Sequence, residues 1–132
     1  MATSRKELWP QNLPRSATPI KYLTENGFSI VRLCDVDHAI RNSPGNCGFL
    51  VQKDDGPIRE IHVTFEQPLV ADLLVRRRTP LADHTMFWLV CAESCLANYL
   101  WESNEFPPND FLVIKQLSPD ELMLALYWRD RD

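Results

Sequence analysis

The feature that most constrains this chain is the stretch from residue 80 to about 102. It opens at Thr79-Pro80 and carries Phe87, Trp88, Leu89, Val90, Cys91, Leu96, Ala97 and Leu100. On a helical projection its apolar residues fall almost all the way round, and such a helix is stable in water only when other elements surround it. The segment 103–110 ends it, because the pair Pro107-Pro108 cannot continue a helix. Its most apolar part, 86–92, is seven residues long, whereas a bilayer core needs about 20. The expectation is a central buried helix, in a chain that makes no use of a membrane.

Helix starts recur by one device. Thr18-Pro19, Thr79-Pro80 and Ser118-Pro119 each place a hydroxyl at the N-cap and proline at the first helical position. The hydroxyl accepts from an otherwise orphaned amide, and proline has no amide to leave unpaired. Ser118 and Glu121 add a capping box to a helix carrying Leu122, Leu124, Ala125, Leu126 and Trp128. The first start predicts a short helix stopped by Asn26-Gly27, a left-handed terminator. Two more helices are expected near 36–41 and 68–77.

Strand patterns lie between these starts, over 28–34, 49–53, 58–65 and 111–117. Asp54-Asp55-Gly56 reads as a tight hairpin turn joining the second and third. In the third, Ile61, Val63 and Phe65 share one face while Glu60, His62 and Thr64 share the other, the mark of a half-buried strand. The order α-β-α-β-β-α-α-β-α is not a βαβ alternation and implies an α+β fold. We expect a single domain over 18–132, an antiparallel sheet of about four strands with helices packed on one face. Residues 1–17 mix charge, Pro and Ser without periodicity and read as a flexible tail, with Trp9-Pro10 its one apolar feature.

The 132 residues are 45% hydrophobic and 24% charged, which suits one globular domain and excludes a disordered, coiled-coil or collagen-like chain. Fourteen Lys and Arg against eighteen Asp and Glu give a net charge of −4, so the clustered cations that bulk nucleic-acid binding requires are missing. Four widely spread cysteines behind a start without an apolar signal core point to free thiols in the cytoplasm. Four glycines cannot build a phosphate cradle of backbone amides, and no G-x-S-x-G or H-E-x-x-H occurs. Nothing in the pattern calls for a cofactor.

Several side-chain groups could carry chemistry. Cys47, in the turn-rich loop 42–48, and His62 would form a thiol–imidazole pair if the fold brought them together, with Glu60 or Asp55 orienting the ring. His84, Cys91 and Cys95 fall at i, i+7 and i+11 on one helix face and offer zinc ligands, to which Cys34 and His38 could add; buried structural thiols are the simpler reading. Asp35 and Asp37 could hold a hard cation, but a role at the start of the short helix accounts for them. Arg76, Arg77 and Arg78 form the focused positive charge, either helix C-terminal cations or an anion site for a phosphorylated ligand. Trp101, Glu102, Glu105, Phe106 and Asp110 place aromatics beside acids, as an interface would.

Taken together these point to a non-catalytic module that binds another protein, a basic one or a second copy of itself as a homodimer. The alternatives are a small thiol- or zinc-dependent hydrolase and a sensor of an anionic small ligand.

Overall fold

The computed structural model describes residues 21–37, 39–77, 79, 81–82 and 85–129. The expected tail over 1–17, the helix start at Thr18-Pro19, His38, Arg78, Pro80 and His84 lie outside the described residues. The fold is α+β. Five strands, β1 (Lys21–Leu23), β2 (Phe28–Arg32), β3 (Cys47–Lys53), β4 (Ile58–Phe65) and β5 (Phe111–Ile114), form one sheet in the order β1-β2-β3-β4-β5. The helices are α1 (Leu33–Val36), α2 (Gln67–Arg76), α3 (Met86–Ser103) and α4 (Pro119–Tyr127), with a 3-10 turn at Pro108–Asp110.

The first four strands are antiparallel neighbours, but β5 pairs parallel to β4, so the sheet is mixed and has five strands where four antiparallel ones were expected. The reason is topological. A parallel neighbour needs a crossover of a dozen or more residues, and α2 and α3 supply it between Phe65 and Phe111. The extra strand is β1, where a helix was expected. Gly27, at φ 99°, turns a hairpin rather than ending a helix: Thr24 N–H donates to Phe28 O at 2.9 Å and Gly27 N–H to Thr24 O at 3.2 Å. The β3–β4 hairpin forms as its alternation predicts, with Gly56 N–H donating to Lys53 O at 2.9 Å.

One face of the sheet meets α2, α3 and α4 in the core. Phe28, Ile30, Cys47, Phe49, Val51, Ile61, Val63 and Phe65 supply the sheet side. Val70 and Leu73 of α2, Ala125 of α4 and much of α3 supply the helix side. Trp88 sits at the centre, edge-on to Phe65 and Phe87 at 5.1 and 5.0 Å, and its indole N–H donates to Ala82 O at 3.0 Å. The helix α3 begins six residues later than expected, capped by Thr85; Phe87, Trp88, Leu89, Cys91 and Ala92 bury its first half nearly all round, while Met86 at its start and Asn98, Trp101 and Glu102 in its second half are exposed. The opposite face of the sheet also holds buried residues, Ser29, Val31 and Gln52, and Leu33 of α1 lies over Gly48, where a Cβ would come within 2.9 Å of it. Arg32 of β2 and Glu93 of α3 clamp the sheet to the helix through two bonds of 3.0 Å each. No helix among the described residues is long and apolar enough to cross a membrane.

Candidate functional site

Cys47 and His62 stand on neighbouring strands, but the register separates their side chains. Cys47 pairs with Val63 and Gly48 with His62, so by strand alternation the sulfur enters the core while the imidazole lies on the other face. Cys47 is fully buried, and its thiol donates to Ser43 O at 3.2 Å. Burial pushes this thiol up to about 12, far from the thiolate a nucleophile needs at neutral pH. His62 instead bridges Asn46 Oδ1 at 2.8 Å and Glu60 Oε2 at 2.7 Å, half-exposed. Glu60 is thus the ring's partner, yet the nucleophile is absent from that chain of bonds.

The arginines divide by role. Arg77 donates to Trp128 O at 2.9 Å, to Ala125 O, and to Thr79 O and Oγ1 at 3.0 Å each, so its guanidinium is consumed by carbonyls at the end of α4. Arg76 is exposed and reaches Asp72 at 3.4 Å, one turn away. A cleft of about 590 Å³ lies here, lined by Arg76, Thr79, Leu126, Tyr127, Trp128 and Arg129. Helix-end carbonyls carry partial negative charge and disfavour an anion. Arg78 lies outside the described residues. Asp35 sits in the single turn of α1, while Asp37 follows that helix and accepts from Ala39 N–H at 3.0 Å, a local turn contact.

Along α3, Cys91 and Cys95 are one turn apart and meet a third group that the sequence did not single out as a partner, Glu121 of α4. One ligand atom of each lies within 4.8 Å of the others. The Cys95 thiol donates to Glu121 Oε2 at 3.2 Å. Its pKa is raised, first by the hydrogen bond with Cys91, then by burial and by the Glu121 carboxylate. Glu121 is held by its cap: Ser118 N–H donates to Oε1 at 2.9 Å, and Glu121 N–H donates to Ser118 Oγ at 3.2 Å. His84, the expected third ligand, and His38 lie outside the described residues, and Cys34 stands apart beside Asp35 with its thiol pushed up by burial.

The aromatic and acidic residues of the C-terminal half also divide. Phe106 packs edge-on against Phe28 at 5.5 Å beneath the Arg59 guanidinium, and Asp110 pairs with Arg59 at 2.6 Å. Those two are engaged within the fold. Trp101, Glu102 and Glu105 are exposed. Trp101 borders Tyr22 and Leu23 of β1 and Glu25 of the turn that follows, which the sequence pattern does not single out because it predicts a short helix there. Asn26 fixes this neighbourhood. Its side-chain amide donates to Leu100 O at 2.9 Å and to Asn104 Oδ1 at 3.1 Å, tying the β1–β2 turn to the end of α3. Asn104, at φ 56°, is the left-handed cap of that helix. The result is a groove of about 190 Å³ between Tyr22, Leu23, Thr24, Glu25, Ala97, Asn98 and Trp101.

Comparison with known proteins finds no match. No protein-family model, no curated protein and no solved structure matches this chain. Its function must be read from its own geometry.

Proposed function

We propose that this chain is a non-catalytic protein-binding module whose docking surface is the β1 edge together with Trp101. The observation that carries this reading is an exposed apolar cluster at the β1 edge, where no further strand pairs among the described residues: Leu23 is 65%, Trp101 52% and Tyr22 46% exposed. Edge strands offer unpaired backbone groups, and an extended peptide can add to them as a further strand. The groove, at about 190 Å³, is smaller than the roughly 300–1,000 Å³ of small-molecule sites, and suits one side chain of such a peptide.

The occupant is an extended, basic segment of another protein. Glu25 lines the groove, and Glu102 and Glu105 follow Trp101 by one and four residues in the chain, all three exposed. The whole chain carries −4. Acids beside an indole face attract a Lys or Arg, through ion pairing and through the ring quadrupole. The same acids repel a second copy, which makes self-association through this edge the weaker reading. All four cysteines are unpaired, which fits work in a reducing compartment such as the cytoplasm.

The test is selection of binders from a displayed random-peptide library on the full chain, followed by affinity measurement with the selected peptides. Peptides rich in Lys or Arg should emerge. Trp101→Ala should weaken them by about 30-fold, as loss of a hot-spot aromatic does, and Tyr127→Ala on the far α4 surface should not. Acidic or uncharged binders, or binding indifferent to Trp101→Ala, would refute the proposal. So would a dimer of the wild type that Leu23→Asp dissociates.

A further inference from the structure

The geometry points to a second, independent site: Cys91, Cys95 and Glu121 bind one thiophilic divalent cation of the zinc class, which bridges α3 to α4. Two sulfurs one turn apart on a helix face the same way, as metal-ligating side chains at i and i+4 do. The third ligand comes from a different element 26 residues beyond Cys95 and is aimed independently, by the capping box that ties its Oε1 to Ser118. Its free oxygen, Oε2, is the one turned to the thiols, 3.2 Å from Cys95 Sγ.

The spacing matches a tetrahedral ion. Zinc–sulfur bonds of about 2.3 Å and zinc–oxygen bonds of about 2.0–2.2 Å, at tetrahedral angles, place two sulfurs about 3.8 Å apart and a sulfur and an oxygen about 3.5 Å apart. The three ligand atoms already lie within 4.8 Å of one another, so an ion needs only small side-chain rotations. Two sulfurs and one carboxylate select zinc over magnesium or calcium, which prefer all-oxygen sites. Cys91 is fully buried while Cys95 and Glu121 are partly exposed, so the ion enters, and takes a solvent fourth ligand, on their side. Binding exchanges protons for metal: the ion forms two sulfur bonds as two thiol protons pass to solvent, with no change of oxidation state.

Titration of the reduced, metal-free full chain with Co²⁺ and then Zn²⁺ tests this. One equivalent of Co²⁺ should produce sulfur-to-cobalt charge-transfer absorption that Zn²⁺ abolishes, with a raised unfolding temperature for the zinc form. Cys95→Ser and Glu121→Gln should each weaken the metal by about tenfold or more, while Cys34→Ser leaves it unchanged. Glu121→Gln keeps a carbonyl oxygen for the Ser118 amide, so it preserves the cap if the serine variant folds poorly. Absence of the absorption at one equivalent overturns the inference. Its persistence in Glu121→Gln at wild-type affinity does the same.

Discussion

Replacing Arg77 separates a structural arginine from a ligand-binding one. Its side chain spans from the end of α2 to the carbonyls of Ala125 and Trp128, 48 and 51 residues away. The two bonds to Thr79 are local and exposed, and water replaces them at little cost. The two long-range bonds are partly buried. A hydrogen bond from a charged donor contributes about 1.5–3 kcal/mol, reduced here to about 1–2 kcal/mol for each of the two because the freed carbonyls at a helix end become reachable by water. Arg77→Ala should therefore cost about 2–4 kcal/mol. For a 132-residue chain each kcal/mol moves the thermal midpoint by about 3–5 °C, so the drop is roughly 6–20 °C.

Arg77→Lys keeps a charge but lacks the planar fork, so it should restore about half of the loss. Arg76→Ala is the control. Its exposed pair with Asp72, at 3.4 Å, is worth only about 0.3–0.5 kcal/mol. Thermal unfolding followed by circular dichroism, checked by urea denaturation, measures all three. A midpoint for Arg77→Ala within 1 °C of wild type, or a larger loss in Arg76→Ala, would refute this account of the arginine run.

Two further outcomes follow from the core and the first turn. The Cys47 thiol is held up at about 12 against an ordinary 9.0, so the native state keeps a proton that the unfolded state gives up above pH 9. Its stabilising contribution is complete below pH 9 and is lost as pH rises towards 12, with about 1.4 kcal/mol gone by pH 10. Urea denaturation of wild type and Cys47→Ala at pH 7.5 and 10 reads this, and an equal alkaline loss in both proteins would contradict it. Gly27→Ala combines φ 99° with a Cβ placed 2.4 Å from Asp54 Oδ1; it should cost about 1–3 kcal/mol, and a neutral effect in thermal unfolding would show that the turn is not held as described.

How much was legible follows from how local each signal is. The β3–β4 hairpin needed only two-residue alternation and a turn within the same stretch of chain. The Ser118 capping box needed four consecutive residues, and both halves of it form. The three residues of β1 carry no alternation long enough to read, and the hydroxyl–proline pair Thr18-Pro19 before them favours a helix reading of this stretch. Asn26-Gly27 is equally apt at a helix end and in a hairpin turn, and only pairing with β2 decides between them. The parallel seat of β5 has no local signature at all. It depends on which edge of the sheet the chain meets after two helices.

The sites show the same division. That Cys91 and Trp88 would join the core follows from residue type and from the apolar pattern around them, because burial of apolar surface is written residue by residue; Cys47, read from its turn-rich neighbours as a loop residue, is buried because β3 begins at it. Whether Cys47 could meet His62 turned on register, which places adjacent-strand partners on common or opposite faces and is set by the whole sheet. Trp101 and Phe106 look alike in sequence; Phe106 is folded onto Phe28 while Trp101 is left exposed beside β1. The meeting of Cys91 and Cys95 with Glu121 belongs to tertiary structure alone, since a helix spacing can align two side chains but only the packing of α4 against α3 brings the third. Composition and periodicity thus determined the long helix, the β3–β4 hairpin, the last capped helix and the apolar residues that fill the core, but neither the strand β1 nor the place of the short helix α1. Relative placement of distant segments decided the chemistry, because contacts between them arise from the collective burial of the core and from no local preference.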